Sequence, residues 1–257
     1  MDVPRYTVKE LNRKKCKYSL CIPVYNEGER IIKEIERAAN AKVQESVDII
    51  LIDGGSTDGS IEKIDKSAVN SILYMHDKGI YRQSQALQAG FDYSLNRGYK
   101  GIITVDGNNK DGIEMTNSFV QKLEMGYDYI QGSRFLQGGK ETNTPYARYL
   151  AIKLIHSKWI SILCHKKYTD TTNLFRGYSK KYLLDERVQP FRKIFKSYEL
   201  STYLSTRADR LGLKTCEIPV ERNYPSRKKY STKVGKIKGN LIIIKCLIEN
   251  TFGKYNP

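Results

Sequence analysis

The first half of the chain alternates short apolar runs with segments of helical periodicity, and this alternation constrains the fold more than any other feature. The apolar runs lie at residues 18–24, 47–52, 71–75, 101–105 and 127–131. Apolar residues recur at helical spacing in the segments between them, at 27–40, 57–66, 81–95 and 113–125. Continuous apolar runs are typical of strands buried on both faces of a parallel sheet. The succession predicts an α/β fold, with a mostly parallel sheet flanked by helices and joined by right-handed crossovers.

Acidic, glycine-containing turns follow the second and fourth runs, at residues 53–60 and 106–111. Ligands of open α/β sheets bind outside the carboxyl ends of the strands, so Asp53 and Asp106 become candidate site residues. Taken alone, each turn is as typical of an ordinary surface turn as it is of a binding site. Their order, at successive strand ends of one sheet, favours a site. Asp106 and Asn108 offer two oxygen ligands that suit Mg²⁺ or Mn²⁺ holding a diphosphate.

The second half lacks this regular alternation. We predict a loop at 138–145, helices at 148–164 and 197–211, a polar segment at 168–178 and a strand at 213–220. No internal repeat or long linker separates independent domains. We expect one domain at 1–221, with a first half at about 18–132 and a second half at about 133–221. Residues 222–257 form a basic and apolar C-terminal extension.

The net charge of +16 lies entirely in the second half. Residues 1–128 carry 18 basic and 19 acidic side chains, whereas residues 129–257 carry 26 and 9. This asymmetry predicts an anionic partner, which is nucleic acid, a phosphorylated ligand or a membrane surface. Residues 222–245 hold eight Lys or Arg and no acid. These basic residues form either a solvated charged face or a patch that binds an anionic membrane leaflet. The apolar residues at 242–248 either insert shallowly into the membrane or pack against the domain or a second subunit.

Two further patterns bear on location. The N-terminal segment lacks the apolar core of a signal peptide, and no run reaches about 18 apolar residues. We therefore expect a cytoplasmic protein that can lie peripherally on the cytoplasmic face of the membrane. The five cysteines are scattered, with no C-x-x-C pair, and predict neither a disulfide framework nor a zinc site.

The ordered set of motifs resembles the GT-A glycosyltransferases of family 2. Pro23-Val-Tyr-Asn-Glu27, the turn at 53–59 and the turn at Asp106 carry this resemblance in the first half. Segments 128–134, 169–176, 198–200, 207–212 and 217–220 are similar to the dolichyl- or polyprenyl-phosphate mannose (or glucose) synthase branch. The similarity runs from about residue 19 to 234. It implies a GT-A, Rossmann-like sheet with a basic helical C-terminal extension, without the membrane helices frequent in this branch. It also implies that 1–221 is the catalytic domain, with a nucleotide-binding half at about 18–132 and an acceptor half at about 133–221.

The resemblance implies an inverting transfer from a nucleotide-diphosphate sugar. It places donor binding at Pro23, Tyr25, Glu27, Asp53, Lys78, Gly79 and Asp106. It places Mg²⁺ or Mn²⁺ at Asp106 and Asn108. It places acceptor contacts at Arg148 and Arg176, and catalytic groups at Arg134, Asp170 and Glu199. The arginines and one divalent ion would stabilise the departing diphosphate.

Two departures from the family pattern concern the metal. Asn108 stands where the second metal-binding Asp is expected, and Lys110 replaces a frequent Gln. A neutral ligand weakens cation binding, and Lys110 could supply part of the charge. Metal dependence therefore stays open at this point.

The need for a catalytic base depends on the acceptor. A lipid phosphate is already anionic near neutral pH, whereas a sugar hydroxyl must lose a proton to a carboxylate in the transition state. Asp170 and Glu199 are the candidates for that role. The alternative for each is a structural acid, and Glu199 in particular has the pattern of a helix-surface acid paired with Arg or Lys.

Three functions remain at this stage. The first is sugar transfer to a polyprenyl phosphate or other lipid-linked acceptor, and the second is transfer to a saccharide hydroxyl in surface-polysaccharide assembly. The third, a basic nucleic-acid-binding module, conflicts with the acid-tipped sheet, so we expect no nucleic-acid partner. The expected partners are a nucleotide sugar and its acceptor, and an anionic membrane and a second subunit stay open.

Overall fold

A mixed eight-stranded sheet organises the chain. The computed structural model describes residues 2–77, 83–225 and 236–257. The strands follow the order β1-β4-β3-β2-β5-β8-β6-β9. Their bounds are β1 Tyr6–Glu10, β2 Tyr18–Val24, β3 Asp48–Asp53, β4 Ser71–Met75, β5 Gly101–Thr104, β6 Tyr129–Ser133, β8 Arg176–Ser179 and β9 Thr215–Pro219. The strands from β4 to β5 in this order are all parallel, and so are β6 and β9, which confirms the mostly parallel sheet.

Two antiparallel strands were not predicted. β1 pairs with β4 at one edge, and β8 lies between β5 and β6, antiparallel to both. β1 is largely exposed and has little apolar periodicity. β8 consists of Arg-Gly-Tyr-Ser, which has weak strand propensity, and it is held by pairing on both sides. Tertiary pairing therefore determines both strands.

Helices cover both faces of the sheet. Their bounds are α1 Glu29–Asn40, α2 Ser60–Lys63, α3 Gln83–Asn96, α4 Thr116–Glu124, α5 Tyr146–Leu150, α6 Ser157–Cys164, α7 Lys180–Leu184, α8 Glu199–Arg210 and α9 Lys236–Thr251. Helices α1, α2 and α4 pack on one face and α3, α7 and α8 on the other. Successive strand residues alternate between the two cores, as Leu51 and Ile52 of β3 do. Both cores are apolar, which explains the continuous apolar runs.

The predicted helix at 148–164 is divided. A π-helical turn at Ala151–His156 separates α5 from α6. The predicted helix at 113–125 likewise begins with a 3₁₀ turn, Ile113–Met115, before α4. A small two-stranded sheet pairs β7, Lys140–Thr142, with β10, Glu221–Asn223, in parallel. The predicted boundary between residues 221 and 222 therefore falls inside a strand.

The C-terminal helix α9 packs on the rest of the protein. Leu247 is 1% exposed and joins Ile160 and Cys164 of α6 in an apolar cluster. The Asn250 Nδ2 donates to Thr206 Oγ1 of α8 at 2.9 Å, and the Trp159 indole donates to Thr251 Oγ1 at 2.9 Å. These contacts fix α9 against both α6 and α8. In the described part of the chain, no helix has both the length and the apolar content needed to cross a bilayer.

Leu247→Ala is expected to lower the free energy of unfolding by about 2–5 kcal/mol, because the cavity would lie between α9 and α6. The neighbouring Ile248 is 41% exposed, so Ile248→Ala should change that free energy by no more than about 0.5 kcal/mol. Denaturant unfolding of both variants measures the difference. Equal losses would show that α9 is not docked through Leu247.

Candidate active site

Two loops after β2 and β3 are joined by side-chain hydrogen bonds. The Asp53 Oδ1 accepts from the Ser56 N–H at 2.9 Å, and the Asn26 Oδ1 accepts from the Thr57 N–H at 2.8 Å. The Gly28 N–H donates to Asp58 Oδ2 at 2.8 Å. This network holds the predicted donor-side segments 23–27 and 53–58 together at the carboxyl edge of the sheet.

The individual donor-side residues have different settings. Pro23 is buried in β2 opposite Ile52 of β3, while Tyr25 and Glu27 are half-buried in the loop that follows. Glu27 also lies 2.7 Å from an Arg30 Nη2. Asp53 is buried at the end of β3. Lys78 and Gly79, which were also predicted to bind the donor, lie outside the described residues.

The loop after β5 carries Asp106 across the end of β2. A Cβ atom at Gly107 would lie 3.0 Å from the Pro23 carbonyl oxygen, so only glycine fits without displacing backbone. From α1, the buried Glu34 carboxyl accepts from the Asn109 N–H at 2.7 Å, and Arg37 Nη1 donates to Asn109 Oδ1 at 2.8 Å. Burial, with the nearby charges of Asp111 and Asp106, raises the pKa of Glu34 well above its usual value. Helix α1 thus stabilises the conformation of the Asp106 loop through Glu34 and Arg37.

Arg222 connects this loop to the C-terminal half. Its Nη2 donates to Asp106 Oδ2 at 3.1 Å, and its Nη1 donates to Asp111 Oδ2. The side chain of Asp111 is fully buried and that of Asp106 is 19% exposed. Arg222, counted from the sequence as part of the basic extension, therefore belongs to the site.

A divalent ion is compatible with the Asp106 loop. Asn108 Oδ1 is buried, with no hydrogen-bond partner among the described residues, and Asn108 lies two residues after the partly exposed Asp106 in the same loop. The described chain has no group of three or more His, Cys, Asp or Glu side chains arranged for a metal. Mg²⁺ typically binds through one or two protein oxygens, with the remaining ligands coming from substrate phosphates and water. Asp106 and Asn108 fit that role, and Arg222 shares the Asp106 carboxylate.

Arg134 and Asp170 form a buried ion pair. The Arg134 Nε donates to Asp170 Oδ2 at 2.6 Å, and both side chains are at most 1% exposed. Burial alone would raise the pKa of Asp170, but the Arg134 charge and hydrogen bonds from Arg134 and Thr172 outweigh it and lower that pKa. A carboxylate held in this way is a poor proton acceptor at neutral pH. The geometry favours a positioning role for Asp170.

Four cationic side chains from the described part of the chain surround Tyr224, which follows β10. Its hydroxyl oxygen lies 3.3 Å from Arg134 Nη1, 3.5 Å from Arg148 Nη1 and 3.4 Å from Arg222 Nε. The Lys110 Nζ lies 5.3 Å from the centre of its ring. We call Arg134, Arg148, Arg222 and Lys110 the cationic cluster. It brings the predicted residues Arg134 and Arg148 next to the Asp106 loop.

Arg176 and Glu199 are engaged elsewhere. The Arg176 guanidinium is buried and donates to the carbonyl oxygens of Asn173, Ser201 and Thr171 at 2.8, 2.6 and 2.9 Å. It stabilises the polar loop before β8, and its geometry gives no support to a contact with the acceptor substrate. The Glu199 carboxylate accepts from the Lys196 N–H at 3.0 Å and the Ser197 N–H at 2.5 Å. These contacts favour the structural alternative, so the catalytic role of Glu199 stays a prediction without support from its geometry.

Four residues of this region escaped the sequence analysis: Glu34, Asp111, Arg222 and Tyr224. Glu34 lies in the predicted helix at 27–40, and the sequence did not indicate that its acidic side chain would be buried. Asp111 ends the very turn that begins with Asp106, which is a signal that could have been used. Arg222 and Tyr224 directly follow the motif at 217–220, but charge counting grouped Arg222 with the basic extension.

Asp170→Asn should lower the free energy of unfolding by about 3–5 kcal/mol, because it leaves the Arg134 charge buried and unpaired. Asp185→Asn is the matched control, since Asp185 pairs with Arg187 at 2.7 Å on the surface, where Arg187 is 59% exposed. That change should cost no more than about 1 kcal/mol. Denaturant unfolding measures both, and equal small losses would contradict a stabilising Arg134–Asp170 pair.

The stabilisation that Asp170 gives to the folded protein depends on pH. The folded-state pKa of Asp170 is lowered, so its stabilisation is present above the unfolded pKa of about 3.9 and is lost as pH falls through the folded value. The difference in the free energy of unfolding between the wild type and Asp170→Asn should therefore become smaller below about pH 4.

Two curated relatives cover most of the chain. Polyprenol monophosphomannose synthase of Mycolicibacterium smegmatis is 28% identical over 202 residues, 77% of this chain and 74% of that protein. Undecaprenyl-phosphate mannosyltransferase of Micrococcus luteus is 28% identical over 225 residues, 86% of this chain and 90% of that protein.

A solved structure shares the fold. Glucosyl-3-phosphoglycerate synthase from Mycobacterium tuberculosis, in complex with Mn²⁺, UDP-glucose and phosphoglyceric acid, superposes with a TM-score of 0.65. The two sequences are 14% identical, and the match covers 91% of this chain and 79% of the other. At this identity the likeness shows the fold alone, and it confirms the GT-A architecture. The model of the family named Glycosyl transferase family 2 matches residues 19–185, well over half of the chain, and this protein belongs to that glycosyltransferase family.

Proposed function

We propose that this enzyme transfers a sugar from a nucleotide-diphosphate sugar to a polyprenyl phosphate, with inversion at the anomeric carbon. The observation that carries the proposal is the cationic cluster beside Asp106. Three guanidinium groups and one ammonium group converge at the carboxyl edge of the sheet. Guanidinium groups bind phosphate oxygens with two parallel hydrogen bonds, so a cluster of this kind suits phosphorylated substrates. The relatives named for polyprenol and undecaprenyl phosphate support the acceptor class.

The reaction needs little proton transfer from the protein. An oxygen of the acceptor phosphate attacks the anomeric carbon and forms a new C–O bond, while the bond from that carbon to the donor diphosphate breaks. The nucleoside diphosphate leaves with the electron pair. Arg134 and Arg148 can stabilise the attacking and departing phosphate charges, and the loops at Tyr25 and Asp53 would hold the nucleoside. A divalent ion on Asp106 and Asn108 would supply additional positive charge to the diphosphate.

The state of Asp170 argues against a hydroxyl acceptor. A saccharide hydroxyl requires a carboxylate that takes up its proton. The Asp170 carboxylate is buried against Arg134, and Glu199 accepts backbone hydrogen bonds. These contacts favour an acceptor that needs no base, and an anionic lipid phosphate is such an acceptor.

We infer that α6 and α9 face an anionic bilayer on its cytoplasmic side. Exposed apolar side chains on and beside these packed helices are Leu154, Ile155, Ile162, Leu241, Ile242, Ile244, Ile248 and Phe252. Ile162 and Phe252 are 73% and 84% exposed, which is unusual for large apolar residues. The exposed Lys153, Lys158 and Lys245 accompany them and complement anionic headgroups. Residues 226–235 of the predicted patch at 222–245 lie outside the described residues.

Asp106→Ala is expected to lower sugar transfer by about 100-fold or more, because it removes the carboxylate at the donor diphosphate. The assay supplies a panel of nucleotide-diphosphate sugars and vesicles containing undecaprenyl phosphate. EDTA should lower the wild-type rate, and Mn²⁺ or Mg²⁺ should restore it. Asp65→Ala is the control, since Asp65 precedes β4 and lies at the opposite edge of the parallel strands. Full activity of Asp106→Ala would refute the placement of the site.

The double variant Ile162→Ser and Phe252→Ser should bind anionic vesicles at least about tenfold more weakly than the wild type, since each side chain contributes about 1.5–3 kcal/mol when fully buried. Met125→Ser and Leu184→Ser form the control, because Met125 and Leu184 are also exposed, at 57% and 46%, but lie on other elements. Co-sedimentation at several salt concentrations measures the binding. Equal binding by both double variants would show that α6 and α9 do not face the membrane.

A further inference from the structure

Tyr224 is fixed at the centre of the cationic cluster. Its backbone N–H donates to the Thr142 carbonyl at 2.9 Å, and Asn143 Nδ2 donates to the Tyr224 carbonyl at 3.3 Å. The side chain is buried, at 3% exposure for the residue. These bonds fix the backbone of Tyr224 beside the end of β7, and the burial of the side chain keeps the phenol within the cationic cluster.

The three guanidinium groups that meet this oxygen come from separate elements. Arg134 follows β6, Arg148 lies in α5 and Arg222 lies in β10. Like charges in a buried site repel strongly, so the three groups need an electron-rich partner between them. Carboxylates lie behind two of them, Asp170 at Arg134 and Asp106 with Asp111 at Arg222. The phenol oxygen of Tyr224 is the acceptor that all three share.

A phosphate oxygen would make the same contacts. It accepts several hydrogen bonds at once and prefers guanidinium donors. We propose that Tyr224 is a positioning residue whose phenol oxygen holds Arg134, Arg148 and Arg222 together in the free enzyme and yields them to a phosphate oxygen of the substrate. This inference rests on the proposed function, because it takes a phosphorylated substrate as the group that replaces the phenol.

The electrostatics of the phenol agree with this role. Burial would raise the pKa of Tyr224, but the charges of Arg222, Arg134 and Arg148 lower it from 10.0 to about 7. Lys110 also faces the ring, and Asp106, Asp111 and Asp170 lie behind the arginines. The phenol is neutral below about pH 7 and anionic above it. A phosphate that enters the cluster adds negative charge, so it should raise the pKa of Tyr224 and cause proton uptake above pH 7.

The first measurement follows the near-ultraviolet absorbance of tyrosinate while the pH of the wild-type enzyme is raised. One of the 19 tyrosines should ionise near pH 7. Tyr224→Phe should lose this step, and Tyr127→Phe should keep it. Tyr127 is the matched control because its ring also lies near cations, Lys122 and Lys214, but it precedes β6, at the end opposite Arg134. The absence of this step in the wild type would contradict the shared contact.

The second measurement adds a phosphate to the wild-type enzyme at about pH 8, one unit above the pKa of Tyr224. Inorganic pyrophosphate represents the donor, and farnesyl phosphate represents the acceptor. Whichever probe replaces the phenol should lower the tyrosinate absorbance and take up protons, and so identify the substrate that uses the cluster. Binding of both probes with no change in absorbance overturns the proposal, and so does the absence of binding by either.

The third measurement is the dissociation constant of the active probe from pH 6 to pH 9. The probe's own ionisation affects every variant equally, so the ratio of wild type to Tyr224→Phe isolates the phenol. The dissociation constant of the wild type divided by that of Tyr224→Phe should rise by about tenfold per pH unit above pH 7. The corresponding ratio of wild type to Tyr127→Phe should not change with pH. A level ratio for Tyr224→Phe would leave the residue only a structural part. Sugar transfer by the wild type is assayed separately, so a failure of the proposed function can be told apart from a failure of this inference.

Discussion

The ion pairs of Arg222 hold the active site together. Asp106 and Asp111 belong to the first half of the chain, whereas Arg222 lies more than 100 residues later in β10. A buried charge is stable only when it is paired and hydrogen-bonded, so this contact requires β10 to stay at the end of β5. Since β10 also positions Tyr224, the donor-side loop and the acceptor-side arginines keep a common geometry.

Two arginines of this site form buried ion pairs with carboxylates. Arg134 is matched by Asp170, and Arg222 by the two carboxylates of the Asp106 loop. Arg148 and Lys110 are additional positive charges beside Tyr224. The buried pairs therefore position their arginines, while the additional cations provide the attraction for phosphate.

Local sequence predicted the parallel part of the sheet and its acidic strand ends, because strands β2 to β5 are buried on both faces and must be apolar. It missed β8, whose Arg-Gly-Tyr-Ser sequence becomes a strand only between two partners. It also linked Arg176 to the acceptor, a role that stays a prediction because the buried guanidinium donates to three backbone carbonyls. Residue type indicates a capacity for phosphate binding, and only tertiary contacts decide whether that capacity is already used. The same reason hid Arg222 and Tyr224, whose roles depend on partners far away in the chain.

The π-helical turn between α5 and α6 has a consequence for the orientation of Arg148. A π turn contains about one more residue than an α turn, and each residue of an α-helix advances the side-chain direction by about 100°. A regular helix one residue shorter would keep Ile160 and Cys164 against α9 but would rotate α5 about its axis by that angle. Arg148 would then turn away from Tyr224. The inserted residue works as a fixed angular offset, which lets one helical segment serve the active site at its first end and the packing of α9 at its last.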